Sequence, residues 1–360
     1  MAYPRDRNYG CRLTTEGTLK GFRTVVFENQ KLRVTVLVDK GTDICEFLYK
    51  PQDVDFMWLS PMPLHNPKNF VPSSNSSHGS FYDHYEGGWQ EIVPSFGPPS
   101  QYKGAEFGLH GESSLLPWDF RVIEDRPERV SVDFWVRLYR SPFYIQKNIT
   151  LEADSSVMKI SEFIENEAGE PMAVMWGHHP ALSEAFLDEN CTIDLSYRRM
   201  HTQRERSFER QRFAPNSDFL WPTAQSLAGD MVDVSKMPSR ESNSADILYF
   251  TDPEDAWYAV TNQRLGIGFG MVWDIKAFPY LWMWQVCRGS YDYPWYGRTY
   301  NMALEIVTSP PDRGIDSAVK DQTALLIAPG ERVTTYANAM VYAGKGRVSR
   351  LHENGEVDWK

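Results

Sequence analysis

The sequence lacks the features that define several protein classes. Its 360 residues include four cysteines, and no two of them form a Cys-x-x-Cys pair, so neither a disulfide framework nor a zinc site of that spacing is indicated. No stretch approaches the roughly 20 apolar residues that a membrane helix needs. No hydrophobic segment that would act as a secretory signal follows the start. We therefore expect a cytoplasmic protein with free thiols and no membrane partner.

Positive charge is also scarce, because 37 Lys and Arg face 48 Asp and Glu and the formal net charge is −11. Nucleic acids and anionic membranes both favour basic surfaces, so neither is expected as a partner. The sequence has no glycine-rich phosphate loop, and the histidines at 65, 78, 84 and 110 match no metal-ligand spacing. We expect no cofactor and no metal.

Long helical patterns are missing too, and period-two alternation takes their place. Apolar residues alternate with polar ones over 32–39, and 44–49 follows after a turn at Gly41. The same pattern returns over 130–138 and 143–151. Such spacing predicts an all-β protein built from large antiparallel sheets. We expect a single domain over residues 1–343 and a polar C-terminal tail over 344–360.

Two irregular stretches and the aromatic content leave alternatives open. Residues 60–88 lack periodicity and predict a long surface loop, functional or mobile. The 12 Trp and 18 Tyr fit a large β core, but some could line a sugar site, since pyranose C–H faces pack on aromatic rings. Six arginines lie between Arg198 and Arg212. They fit either a solvated loop or a site for an anionic sugar substituent.

Three short motifs carry candidate chemistry. An apolar run ends at Trp176-Gly177 and is followed by His178-His179-Pro180, where the missing N–H of proline is expected to end strand pairing. His110 lies between glycines in Gly-Leu-His-Gly, and Glu305 interrupts an apolar strand over 302–307. Each residue also has an ordinary interpretation: a core or turn histidine, a turn residue, and a solvent-facing carboxylate.

In chain order the motifs are Gly-Leu-His-Gly at 108–111, His-Pro-Ala-Leu at 179–182, and Leu304-Glu305 with Pro310-Pro311-Asp312 downstream. This ordered set resembles the aldose 1-epimerase (galactose mutarotase) superfamily. The resemblance implies the β-supersandwich of that superfamily and an isomerase that interconverts the α and β anomers of a hexose or modified hexose. It assigns Glu305 as the base, His179 as the acid, and His110 as a hydrogen-bonding partner near the ring oxygen. Two such acid–base groups need no cofactor.

The sequence departs from the superfamily near the first histidine. An Arg, often with Asn, is common there, whereas this chain has Gly-Gly-Trp-Gln-Glu at 87–91. Gln90 or Glu91 is expected to replace it in hydroxyl binding. His178 stands where the superfamily has Asn, and it is expected either to contact a substrate hydroxyl or to support its neighbour His179. The other residues predicted to contact a small-molecule sugar are Asp246, Trp284, Gln285 and Arg298.

Two further function classes stay open at this stage, and the oligomeric state is expected to be a monomer or homodimer. One alternative is a non-catalytic carbohydrate-binding protein on the same fold. The other is a lyase or hydrolase acting on glycans. A hydrolase usually needs a second carboxyl group, which Glu91 or Glu112 could supply.

Overall fold

The structure, a computed structural model, describes residues 7–69, 74–310 and 314–360. In these ranges the alternating sequence forms strands, and the two α-helices are short. The first strands are β1 Arg12–Thr14, β2 Thr18–Leu19, β3 Phe22–Glu28, β4 Leu32–Leu37, β5 Asp43–Tyr49, β6 Val54–Asp55, β7 Trp89–Ile92, β8 Ser100–Tyr102, β9 Ala105–Phe107, β10 Asp119–Asp125, β11 Arg129–Arg137, β12 Phe143–Glu152, β13 Val157–Asn166 and β14 Met172–Val174. The later strands are β15 Gly177–Leu182, β16 Cys191–Thr202, β17 Asp218–Leu220, β18 Thr223–Gln225, β19 Met231–Asp233, β20 Ser244–Asn262, β21 Ile267–Trp273, β22 Tyr280–Cys287, β23 Tyr300–Val307, β24 Leu325–Ile327, β25 Arg332–Ala343, β26 Val348–Leu351 and β27 Val357–Trp359.

The helices are short connections between strands. The α-helices are α1 Gly79–Tyr82 and α2 Ile315–Lys320, and the 3₁₀ turns are Lys50–Gln52, Pro67–Asn69, Ser113–Leu115 and Arg240–Ser242. No helix in the described ranges is long and apolar enough to cross a membrane.

Nineteen strands of the described chain form one antiparallel sheet that folds into two layers. One layer runs β1-β3-β4-β5-β7-β15-β23-β22 and the other β10-β11-β12-β13-β25-β21. The long strand β20 joins them, because its first half pairs with β22 and its second half with β21. Phe27 of β3 packs on Phe134 of β11 across the gap. The predicted all-β sandwich of large antiparallel sheets is confirmed.

Strand β15 corrects the expectation about Pro180. The strand continues through the proline to Leu182, and Pro180 itself pairs with Trp89 of β7. On the other edge, the pairs with β23 skip His179 and Pro180 and resume at Ala181. The missing N–H therefore accompanies a local gap in pairing and does not end the strand.

The stretch 60–88, predicted as a surface loop, is described over residues 60–69 and 74–88, and residues 70–73 lie outside the described ranges. Its described residues before 79 are mostly not buried, whereas the part from Gly79 packs on the protein. It carries α1, and the side chains of Phe81 and Tyr85 are buried. The large aromatic rings supply enough apolar surface to pack the segment onto the sheet.

The C-terminal segment is likewise not a simple polar tail. Strands β26 and β27 form a hairpin, and Val348 and Leu351 pack in a cluster with Trp257 and Tyr342. Arg347 donates to the buried carboxylate of Asp194 at 2.9 Å. The polar composition of this segment obscured Val348 and Leu351, two apolar residues that pack on the outer face of the second layer.

Candidate active site

A cavity of about 620 Å³ opens on the face of the first layer that points away from the second. Its floor comes from β15, β22 and β23, and its walls come from the loops before β7, around His110, after β16 and before β23. The described lining residues are His78, Phe81, Tyr82, Tyr85, Gly97, Pro98, Pro99, Leu109, His110, His179, Gln203, Glu205, Arg206, Ser207, Phe208, Ile247, Trp282, Trp284, Trp295, Glu305 and Asp316. The volume suits a small polar organic molecule.

His179 and Glu305 face each other on the cavity floor. The register of the flanking pairs, Gly177 with Val307 and Ala181 with Ala303, places the two residues opposite each other on β15 and β23. Side chains opposite each other in an antiparallel pair lie on the same face and in contact. Nε2 of His179 is 3.4 Å from Oε1 of Glu305, and both residues are buried.

Burial shifts the two pKa values in opposite directions. It raises the pKa of Glu305 well above its ordinary value and lowers the pKa of His179 to about 4, although the backbone carbonyl of His179 opposes the second shift. Desolvation disfavours the charged form of each group. Both shifts favour the neutral forms, a protonated Glu305 carboxyl and a neutral His179 ring, and a proton transfer across the 3.4 Å contact gives the ionised pair.

His110 lies beside this pair in a tightly fixed turn. Its φ is +59°, and its backbone N–H donates to the Gly97 carbonyl at 2.9 Å. The N–H of Gly97 donates in return to Nδ1 of His110 at 3.2 Å. A Cβ at Gly111 would lie 2.6 Å from the Val93 carbonyl oxygen, which explains the glycine after the histidine.

This hydrogen bond fixes the protonation of His110. Nδ1 is an acceptor, so the neutral ring carries its proton on Nε2. Burial, with a smaller contribution from His179, lowers the pKa of His110 well below its ordinary value. The ring centroids of His110 and His179 are 5.5 Å apart. His110 is therefore a neutral N–H donor next to the acid–base pair.

Aromatic rings form the walls around these polar groups. Trp282 and Trp284 alternate with Leu281 and Met283 along β22, so the tryptophans face the cavity and the aliphatic residues face the core. The rings of Trp284 and Trp295 are 5.6 Å apart. Trp284 thus lines the cavity, and its contact with a sugar stays a prediction.

Alternation along the strands removes two predicted residues from the cavity. Successive side chains of a strand point to opposite faces. His179 and Gln90 face the cavity side, so their neighbours His178 and Glu91 face the interior between the layers. His178 accepts from the Trp89 indole at 3.0 Å through Nδ1, and its Nε2 is 2.8 Å from Glu162. Both of its ring nitrogens are used, so the predicted contact of His178 with a sugar hydroxyl is corrected to a role in the core.

Glu91 belongs to a buried ionic contact. Its Oε2 lies 2.9 Å from Nζ of Lys147, and its Oε1 accepts from the Trp176 indole at 3.1 Å. Glu91 and Lys147 are 1% and 3% exposed. The predicted sugar contact of Glu91 is corrected to charge pairing between the layers.

Gln90 faces the cavity side of the sheet but is covered. Its amide nitrogen donates to Asp43 at 3.2 Å and to the Gly87 carbonyl at 2.6 Å. Asp43 also pairs with Lys40, which in turn pairs with Glu86 at 2.8 Å. Gln90 therefore supports a buried charge cluster behind the loop and does not line the cavity.

Three further predicted residues lie outside the cavity. Asp246 and Gln285 sit opposite each other on β20 and β22, and both bind the guanidinium of Arg212. They lie on the core-facing side of their strands. The exposed Arg298 packs on Tyr296 at 5.7 Å and donates to the Pro294 carbonyl. Their predicted contact with a sugar is corrected to contacts within the protein.

Glu112, considered as a second carboxyl group, is also engaged elsewhere. It accepts from the backbone N–H groups of Tyr139 and Arg140 and from the Ser141 hydroxyl. Pro311 and Asp312 of the third motif lie outside the described residues. Within those residues, no group of three or more His, Cys, Asp or Glu side chains is arranged to hold a metal ion.

The lining residues that arrive on loops were not predicted from the sequence. Phe81, Tyr85, Phe208 and Trp295 come from segments without periodicity, so no spacing in the sequence connects them to the motif histidines. The only available signal was their aromatic character. Of the six arginines at 198–212, Arg206 lines the cavity.

Comparisons with solved structures show the fold. A proposed aldose 1-epimerase from Klebsiella pneumoniae superposes with a TM-score of 0.70 at 13% identity, covering 93% of this chain and 83% of that chain. A galactose mutarotase-like protein from Clostridium acetobutylicum gives 0.64 at 14% identity, with 93% and 99% covered. A galactose mutarotase related enzyme from Lactobacillus acidophilus gives 0.60 at 15% identity, with 91% and 100% covered.

Comparisons of the sequence give fewer matches than comparisons of the structure. No curated protein matches this chain. The model of one family, described as a domain of unknown function (DUF4432), matches residues 19–341. The resemblance drawn from the motifs is confirmed at the level of the fold: the chain belongs to the DUF4432 family and has the galactose mutarotase-like all-β fold.

Proposed function

We propose that this protein is an aldose 1-epimerase that interconverts the anomers of a hexose or modified hexose. The observation that carries the proposal is the buried pair of His179 Nε2 and Glu305 Oε1, 3.4 Å apart on the floor of an aromatic cavity. An acid and a base within reach of one small molecule are what ring opening requires.

The chemistry follows from the protonation of the pair. In its ionised form, the Glu305 carboxylate takes the proton of the anomeric hydroxyl while His179 donates its Nε2 proton to the ring oxygen. The C1–ring oxygen bond breaks and the free aldehyde forms. After rotation about C1–C2, the ring oxygen attacks the other face of the carbonyl, and both protons return. The protein recovers its starting state, so no co-reactant is consumed.

Neighbouring groups favour this role for the pair. His110 carries its proton on Nε2 and offers a neutral hydrogen-bond donor beside His179. The tryptophans of the wall supply flat apolar surfaces for the C–H face of a sugar ring. Low solvent access strengthens the hydrogen bonds made with the reacting oxygens.

The charges at the cavity favour a neutral sugar. Arg206 is the cationic side chain among the described lining residues, apart from the histidines, and Glu205 and Asp316 are two carboxylates of the same lining. Arg206 donates to the backbone carbonyls of Phe208 and Glu209, so its guanidinium is partly engaged. A phosphate or carboxylate on the sugar would meet no excess of positive charge.

The test is anomer exchange followed by one-dimensional NMR on a pure anomer. The panel includes neutral and anionic aldoses, and we expect acceleration for a neutral aldose. Glu305→Gln is expected to lower the rate by about 10²-fold or more while the sugar still binds. Glu165→Gln, the same change at a surface ion pair with Arg332, is the matched control and should keep the full rate.

Each alternative function gives a distinct result in this assay. A carbohydrate-binding protein would bind sugar without accelerating exchange in the unchanged chain. A lyase or hydrolase would shorten a glycan and generate new reducing ends. Full exchange activity in both Glu305→Gln and His179→Asn would refute the assignment of the acid and the base.

A further inference from the structure

Tyr85 holds a position beside His179 that the acid–base chemistry above does not use. Its hydroxyl oxygen is 3.5 Å from Nδ1 of His179, on the opposite side of the imidazole from Glu305. Contacts in structures without substrate are often long and shorten in the complex. Both ring nitrogens of His179 thus face a specific partner.

The Tyr85 ring is fixed by its surroundings. It stacks on Phe81 with centroids 4.8 Å apart, and Trp58 and Trp295 lie at 5.7 and 6.0 Å. The residue is 2% exposed, and a buried phenol hydroxyl usually has a hydrogen-bond partner. The His179 ring, at 5.8 Å between centroids, supplies that partner.

We propose that Tyr85 is a positioning residue whose hydroxyl oxygen accepts a hydrogen bond from the Nδ1–H of His179 and thereby makes Nε2 the nitrogen that exchanges a proton with the sugar. The inference rests on the proposed epimerase function. An acid on Nε2 needs an imidazolium, and an imidazolium carries a second N–H that must be satisfied where water is excluded. Tyr85 provides the acceptor for it.

The same hydrogen bond persists after the proton has moved. When Nε2 has given its proton to the ring oxygen, the neutral ring keeps its proton on Nδ1, hydrogen-bonded to Tyr85, and Nε2 is free to take the other proton back. Burial raises the pKa of Tyr85 well above its ordinary value, so the hydroxyl stays protonated. A neutral acceptor stabilises the imidazolium less than a carboxylate would, which leaves His179 a strong enough acid to donate.

The test compares Tyr85→Phe with Tyr342→Phe. Tyr342 is also buried and loses one hydroxyl contact, 2.8 Å to Thr261, in a cluster away from the cavity. We expect kcat of Tyr85→Phe to fall about 10-fold, because the Nδ1–H of His179 loses the hydroxyl acceptor, with little change in KM. The acid limb of the pH–rate profile should move to lower pH. Tyr342→Phe should change neither.

A measurement on the unchanged protein avoids any folding defect in the variant. Nitrogen NMR of the His179 ring, assigned by its absence in His179→Asn, should show Nδ1 protonated in the neutral ring. A proton on Nε2 alone, or wild-type kcat and acid limb in folded Tyr85→Phe, would overturn the role of Tyr85. Loss of activity in Glu305→Gln in the same assay would leave the epimerase proposal standing when the role of Tyr85 is refuted. Full activity in Glu305→Gln would refute the epimerase proposal.

Discussion

Replacing Glu91 by Gln distinguishes between two roles for this residue, the sugar contact predicted from the sequence and the buried ion pair found in the structure. Glutamine keeps the shape and the acceptor for the Trp176 indole but removes the negative charge that lies 2.9 Å from the buried ammonium of Lys147. Glu91 is 1% exposed, so water cannot replace it. The structure therefore predicts a loss of stability with no loss of sugar binding.

The size of the loss follows from the burial of both partners. Removing one partner of a buried ion pair costs about 3–5 kcal/mol, because it leaves an uncompensated charge. For a chain of 360 residues that corresponds to a decrease in melting temperature of about 4–7 °C. The neighbouring Glu162 carboxylate interacts with the same lysine, which favours the lower end of the range.

Denaturant unfolding and thermal melting measure the effect. Glu165→Gln at the exposed pair with Arg332 is the control and should cost at most about 1 kcal/mol. The double variant Glu91→Gln/Lys147→Met should recover most of the loss, since no buried charge is left unpaired. Equal stability of Glu91→Gln and the control, combined with a raised KM for sugar, would refute the structural interpretation and support the sugar contact.

Three further predictions concern protonation and the C-terminal hairpin. The pH–rate profile should be bell-shaped, with an acid limb near pH 4 from His179 and an alkaline limb well above the ordinary carboxyl range from Glu305; a single limb at the ordinary histidine pKa would contradict the coupled pair. Burial raises the pKa of Asp43 to about 8, with Lys40 opposing. As the pH rises, the unfolded chain loses this proton before the folded chain does, so the free energy of unfolding should fall between about pH 4 and 8. Urea unfolding measured across that range should show a smaller fall in Asp43→Asn. Deleting residues 345–360 removes Val348 and Leu351 and exposes the side chains that pack on them, such as Trp257 and Tyr342. This should lower the free energy of unfolding by about 3–6 kcal/mol. An unchanged melting temperature would mean that the hairpin does not stabilise the sheet.

The sequence by itself determined the fold class and the identity of the acid–base candidates. Period-two alternation around Val34 and Val132 predicts strands, and the structure has strands β4 and β11 there, although the polar alternate positions Thr35, Ser131 and Asp133 are buried as well. His110, His179 and Glu305 interrupt otherwise apolar or glycine-rich stretches, and the resemblance of their motifs to a known superfamily gave them their expected roles. All three line one cavity.

Tertiary structure alone decided the rest of the site. His178 and His179 are adjacent in sequence, yet they lie on opposite faces of β15, and only the packing of the layers determines which face meets the cavity. Tyr85 lies on a loop whose path depends on where its aromatic rings can be buried, and no local spacing encodes that path. Strand register, set by the whole sheet, brings Glu305 opposite His179, because pairing between distant strands depends on the total burial that each register achieves.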